Sequence, residues 1–146
     1  MSIEQNKETV RSLYESITHG AVDDMDRYMS PDFVDHNPFP GQRPGLQGVK
    51  DSFNEFRRSF SDSRMEIEEL IAEGDRVVSR ATMYGRHTGD FNGLPPTGKE
   101  VSLPLIDIFG FSGGKITEHW GLADNDTLLG QLGIHVGHGE PGSRAA

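Results

Sequence analysis

The amino-acid order predicts an α+β fold in which three helices precede an antiparallel sheet. Two observations lead there. Apolar residues recur at helical spacing as far as Phe60 and at strand spacing beyond Asp62. The later segments are joined by glycine-bearing hairpin turns, without the crossover helix that parallel strands need. Helices gathered before such a sheet pack together on one of its faces.

Ile3, Val10, Leu13, Tyr14 and Ile17 make one stripe of a first helix. Ser2 with Gln5 three residues on forms a capping box, and Gly20 is the stop. Met25, Tyr28 and Met29 mark a short second helix closed by Ser30-Pro31. Leu46, Val49, Phe53, Phe56 and Phe60 form the apolar face of a third helix, and core packing alone explains such a stripe. Met65 and Ile67 then alternate with polar neighbours, and Gly74-Asp75 turns the chain into a strand carrying Val77, Ala81 and Met83 on one face. Arg76, Arg80 and Arg86 fall mostly on the other face, and so does Tyr84, which reads as structural. Gly93 to Gly98 is a loop, because neither proline suits a central ladder. Val101 to Phe111 is a long strand, Ser112-Gly113-Gly114 a turn, and Lys115 to Trp120 the last strand. Asp124 stands where the N-cap of a C-terminal helix belongs.

At 146 residues the chain is expected to be one domain over residues 1–133, with a flexible Gly/Pro/His-rich arm from 134 to 146. A formal charge of −9 argues against nucleic acid and anionic membranes as partners. There are no cysteines, hence no disulfide framework and no thiolate nucleophile or metal ligand. Met1 to Tyr14 shows no basic segment ahead of an apolar core, and no apolar run is long enough to span a bilayer, so a cytoplasmic protein is expected.

The segment Tyr84–Gly89 (YGRHTG), the GLPPTGK that follows from Gly93, GKITEHW at Gly114–Trp120 and LLGQLG at Leu128–Gly133 resemble the SnoaL-like polyketide cyclases. These belong to the wider nuclear-transport-factor-2-like superfamily. The resemblance covers roughly residues 3–133. It implies a cone-shaped, strongly curved antiparallel β-sheet wrapped around the N-terminal helices, with a pocket between. It also implies acid–base chemistry without cofactor or metal, and pairing into a homodimer or homotetramer through the convex sheet face, where Ile116 and Trp120 are expected.

Strict alternation puts Asp107 on the strand face of Leu103, Leu105, Phe109 and Phe111, the face that the resemblance directs into the pocket. A carboxylate among apolar groups needs a partner or a proton, which is how a general base is tuned. The alternative is a structural ion pair with Arg80 or Arg86. His119 shares a face with Thr117 and Gly121, opposite to Ile116, Glu118 and Trp120. By resemblance His119 lies near the ligand, the alternative being a hydrogen-bonded strand histidine without a role in chemistry, and the acid/base aspartate of characterised family cyclases falls two residues later. Glycine stands there in this chain, at Gly121. Asp107, Asp124 or a histidine is then the candidate to take that role. Asp124 is equally explained as a helix cap. His36, by resemblance at the pocket entrance, either orients substrate or is a surface-loop residue. His87 shares parity with Val77, Ala81 and Met83, and either polarises a carbonyl or bonds a backbone group. Phe53, Phe56, Leu103, Leu105 and Phe109 are the expected pocket lining.

No metal site is expected. His36, His87 and His119 lack local ligand spacing, and the one close pair, His135 with His138, lies in the arm. The leading reading is a cofactor-independent enzyme that abstracts a proton next to a carbonyl of a hydrophobic small molecule, giving cyclisation, isomerisation or elimination. The alternatives are a non-catalytic small-molecule-binding protein on the same fold, which Gly121 favours, or a hydrolase or dehydratase of the superfamily.

Overall fold

A computed structural model describes residues 2–134; residues 135–146 of the expected arm, His135 and His138 among them, lie outside the described residues. Helix α1 covers Ile3–Thr18 and opens on the expected capping box. Ser2 Oγ accepts the Gln5 N–H at 3.1 Å and Gln5 Oε1 accepts the Ser2 N–H at 3.0 Å. Helix α2 covers Gly45–Ser59 and helix α3 covers Asn125–Gln131. Five strands, β1 (Met29–Asp35), β2 (Phe60–Glu73), β3 (Arg76–His87), β4 (Glu100–Ser112) and β5 (Lys115–Ala123), form one curved sheet in the order β1-β5-β4-β3-β2.

Two readings of the N-terminal half are corrected. The second helix is a 3-10 segment, Val22–Arg27, and the chain becomes a strand at Met29. That strand, β1, runs parallel to β5, so the sheet is not wholly antiparallel. Pro31 hid it from sequence. A proline cannot donate to a ladder, and β1 tolerates one because it is an edge strand whose register is irregular between Met29 and Val34. The stripe assigned to the third helix also ends early. Phe60 already has extended backbone, opens β2 and is fully buried while its ring stacks on Phe56 at 4.7 Å.

Helix α2 packs against β1 and β2, the two edges of the sheet, and so closes the curve into a cone. Helix α1 lies within it on β2 and β3, burying Val10, Leu13, Tyr14 and Ile17. Helix α3 packs on β4 and contributes Leu128. Burial of these apolar groups supplies the main stabilising term, at roughly 1.5–3 kcal/mol for each large side chain taken fully from water.

A bulge decides what β5 turns inward. Gly110 pairs with Glu118 but Phe111 pairs with Ile116, leaving Thr117 as the extra residue. The alternation flips there. Ile116 therefore faces the core, fully buried, rather than sharing the outer face with Trp120 as alternation predicts.

Candidate active site

Four elements bring ionisable groups to the middle of the inner face. In the β3–β4–β5 register Asp107 lies between Ser79 and Gly121, and His119 is two pairs further along β5, opposite Phe109 and on the same face. On the far side of His119, β1 supplies Asp35, its register partner. Helix α1 supplies Tyr14. The alternation of β4 holds as read, so Asp107 points inward among Leu103, Leu105 and Phe109. Arg80 pairs with Glu69 and Arg86 with Glu100, so neither serves Asp107.

The groups form a continuous chain. His119 Nε2 lies 2.8 Å from Asp107 Oδ1, and His119 Nδ1 lies 3.1 Å from Asp35 Oδ1. The Tyr14 hydroxyl donates to Asp107 Oδ2. Gln42 Nε2 donates to Asp35 Oδ2 at 2.9 Å, and the Asn37 N–H to Asp35 Oδ1 at 3.1 Å. Phe109 places its ring 5.3 Å from the His119 ring and its edge against Tyr14. Only 20% of the His119 side chain and 12% of that of Asp107 reach solvent, so the contact is largely shielded from water.

Burial alone would push the His119 imidazole down. The hydrogen bonds and negative charges of Asp107 and Asp35 outweigh it and raise the ring to about 9. His119 is therefore an imidazolium at neutral pH, with both N–H groups donating to carboxylates. Burial pushes Asp35 up, but bonds from His119 and Gln42 prevail and hold it below the usual carboxylate range. Burial, then the charge of Asp107 and its hydrogen bond, drive the Tyr14 phenol well above its usual value, so it acts here as a donor only.

Gly121 completes the arrangement by being small. A Cβ there would lie 2.6 Å from Asp107 Oδ1 and 2.7 Å from His119 Nε2, closer than such atoms approach. The space of a side chain at 121 is occupied by the carboxylate from β4.

Other expected site residues lie elsewhere. Asp124 caps α3, accepting the Thr127 N–H at 3.1 Å and the Thr127 hydroxyl at 2.6 Å, and is exposed. Its carboxylate is held by the cap and takes no part in the inner cluster. His36 lies on the opposite face of the sheet from His119, because it follows Asp35 by one residue; it stacks on Trp120 at 4.5 Å and bonds Glu118. It is not at an entrance to the inner face. His87 is inward and fully buried, but about 26 Å of strand separate it from Ser79, the register partner of Asp107. There its Nδ1 accepts the Thr97 N–H at 3.2 Å, and its ring lies near Phe60 and Phe91. Of the expected lining, Leu103 and Phe109 are buried, and Phe53, Phe56 and Leu105 are partly buried against the same core. Phe56 keeps company with Phe60, toward the His87 end. A surface cleft of about 470 Å³ lies apart from Asp107, between the Phe39–Arg43 loop and the outer side of α2. Among the described residues no group of three or more His, Asp or Glu is arranged to hold a metal ion, and no helix is long and apolar enough to cross a membrane.

Sequence reasoning missed Tyr14 and Asp35. Tyr14 read as one more member of a core stripe, although a buried tyrosine hydroxyl needs a partner. Asp35 was hidden with β1; once that strand is known, alternation puts it on the face of Phe33.

The order and geometry of these elements recur in known proteins. The family model of the SnoaL-like polyketide cyclases matches residues 7–132. The aklanonic acid methyl ester cyclase of Streptomyces galilaeus is 31% identical over 134 residues, covering 85% of this chain and 88% of that protein. The nogalonic acid methyl ester cyclase of Streptomyces nogalater is 31% identical over 118 residues, covering 78% of this chain and 87% of its own length. The solved structure of TsrD from Streptomyces laurentii superposes with a TM-score of 0.83 at 26% identity, covering 91% of this chain and 98% of that one. A match that runs from α1 to the end of α3, carried by sequence and fold together, means that the chain belongs to the SnoaL-like polyketide cyclase family and is an enzyme of the cyclase type.

Proposed function

We propose that the chain closes a ring in a polyketide by intramolecular aldol addition, with Asp107 as general base and His119 as the cation beside it. The observation that carries this reading is the 2.8 Å contact between His119 Nε2 and Asp107 Oδ1 on an apolar inner face. Asp107 takes a proton from a carbon next to a carbonyl, leaving an enolate. The enolate carbon attacks a ketone carbon of the same molecule, forming the C–C bond, and the proton returns to the new alkoxide oxygen. Nothing is oxidised and no group leaves, so product and substrate are isomers. While the proton sits on Asp107, negative charge resides on the enolate oxygen, and the fixed imidazolium balances it without solvent rearrangement. Asp107 supplies from β4 the carboxylate that the family resemblance leads one to expect at position 121. The occupied space at Gly121 supports this exchange and removes the reason for preferring a non-catalytic binding protein.

The two named relatives act on methyl esters, of aklanonic and nogalonic acid, and this supports a polyketide acid methyl ester as the substrate class. Incubation with each ester should give a product of unchanged mass and altered chromatographic retention. Asp107→Asn keeps the shape and removes the base, and should cost about 10²–10⁴-fold in kcat with the fold intact. Full turnover by Asp107→Asn would remove Asp107 from the chemistry; failure of the parent on both esters would remove the substrate class.

We further propose that the protein is a homo-oligomer assembled through the outer face of its sheet. Ile71, Val78, Ile108 and Trp120 lie in one cross-strand row, with Ile106 and Leu122 paired in the next. Leu122 is 76% and Ile71 56% exposed, an apolar surface that a lone domain rarely leaves in water. Trp120 is partly covered within the chain by the His36 stack and by the Arg76 guanidinium, 5.1 Å from its ring centre. The aliphatic residues of the two rows therefore carry the contact.

A further inference from the structure

We propose that Gln42 is a positioning residue that keeps Asp35 ionised and fixed in place, and thereby holds the His119 ring between its two carboxylates. This rests on the reading of Asp107 and His119 as the reacting groups.

The local sequence builds the device. After β1 the chain runs Phe39-Pro40-Gly41-Gln42, and the Gln42 N–H bonds Phe39 O at 2.9 Å. Proline at the second position and a glycine with φ of +84° at the third are the requirements of a type II turn. The turn folds Gln42 back toward β1, seven residues after Asp35. Its amide is then oriented from three sides. Oε1 accepts from Ser52 Oγ at 3.0 Å and from the Phe39 N–H at 3.2 Å, which leaves the NH₂ end to donate to Asp35 Oδ2. The Phe39 N–H can only donate, so the amide cannot flip without setting N–H against N–H, while the Ser52 hydroxyl, which also reaches Gly48 O at 3.1 Å, adds to the orientation. The loop and α2 thus aim one hydrogen bond at the carboxylate behind His119.

The charged and titratable groups facing His119 are Asp35 from β1 and Asp107 from β4, with Tyr14 from α1 acting on Asp107. Gln42 touches none of the reacting groups, so its effect must travel through Asp35. A hydrogen bond to the charged form of a carboxylate favours that form. Without it Asp35 should protonate at higher pH and release His119 Nδ1, freeing the ring to turn from Asp107.

The test begins on substrate-free protein with ¹³C NMR titration of the Asp35 carboxyl and the His119 ring. In Gln42→Leu the Asp35 titration should move to higher pH. In Ser52→Ala, where the Phe39 N–H still orients the amide, it should move in the same direction but less. With substrate, the acid limb of the kcat profile should rise with Asp35 in Gln42→Leu, with kcat lowered about tenfold and KM unchanged. Gln42→Glu guards against misfolding of the leucine variant. It keeps the shape but sets two carboxylates together, so one should titrate distinctly higher. Asp35 and His119 titrations that superimpose on the parent in both position-42 variants would overturn the proposal. Asp35 and His119 titrations that both shift, with unaltered turnover, would instead uphold the positioning role and count against Asp107 and His119 as the reacting groups, whereas a shifted Asp35 beside an unmoved His119 would overturn it.

Discussion

Removing the charge on His119 should cost the fold stability in a defined pH window. The ring is raised from the ordinary 6.5 to about 9, because the charges and hydrogen bonds of Asp107 and Asp35 outweigh burial. A raised value means that the folded protein keeps a proton that the unfolded chain gives up. The resulting stability is fully present below about pH 6.5 and is lost as pH climbs through about 9. At 1.36 kcal/mol per pH unit, the interval corresponds to about 3 kcal/mol. That is a large share of the roughly 5–15 kcal/mol that holds a domain together. The assay is urea unfolding of the parent and of His119→Gln, repeated from about pH 6 to about pH 10. The parent should lose about 3 kcal/mol relative to the variant across that range, mostly between neutrality and the upper end. Parallel curves for the two proteins would show that His119 binds its proton no more tightly in the folded state, and the imidazolium sandwich would be wrong. Asp35 acts at the other end of the scale. Its lowered value means stability present above the ordinary 3.8 and lost as pH falls below it.

Gly121→Ala should leave the sheet formed but force the Asp107 carboxylate and the His119 ring apart, since the new methyl carbon would stand 2.6 Å from Asp107 Oδ1. The expected cost is about 1–3 kcal/mol of stability, with a fall in the His119 titration measured by NMR. A variant with unchanged stability and an unchanged His119 titration would show that position 121 has room to spare. Leu122→Arg, placing a charge on the most exposed apolar residue of the outer face, should lower the mass seen by light scattering. If the parent is already monomeric at micromolar concentration, the sheet-face assembly is excluded.

What could be learned from the chain alone concerns interactions between near neighbours. The Ser2–Gln5 box, the Asp124 cap and the inward alternation of Leu103, Leu105, Asp107 and Phe109 each depend on residues a few positions apart. The stripes of α1 and α2, the four antiparallel strands from β2 to β5 and the family signatures likewise followed from local periodicity and short motifs. Tertiary structure decided the rest, wherever a residue's environment is set by a distant segment. Asp35 and His119 are 84 residues apart, and Tyr14 and Asp107 are 93 apart. Neither pairing leaves a trace in local spacing. The strand carrying Asp35 was masked because Pro31 is acceptable only at a sheet edge, and edge position is a property of the assembled sheet. Ile116 was misplaced because one extra residue, Thr117, reverses alternation, and a bulge is visible only against the partner strand. Asp107 could be given a face from its own strand. Its place beside an imidazolium, in the room left by Gly121, came from the packing of four elements that the chain brings together only when it folds.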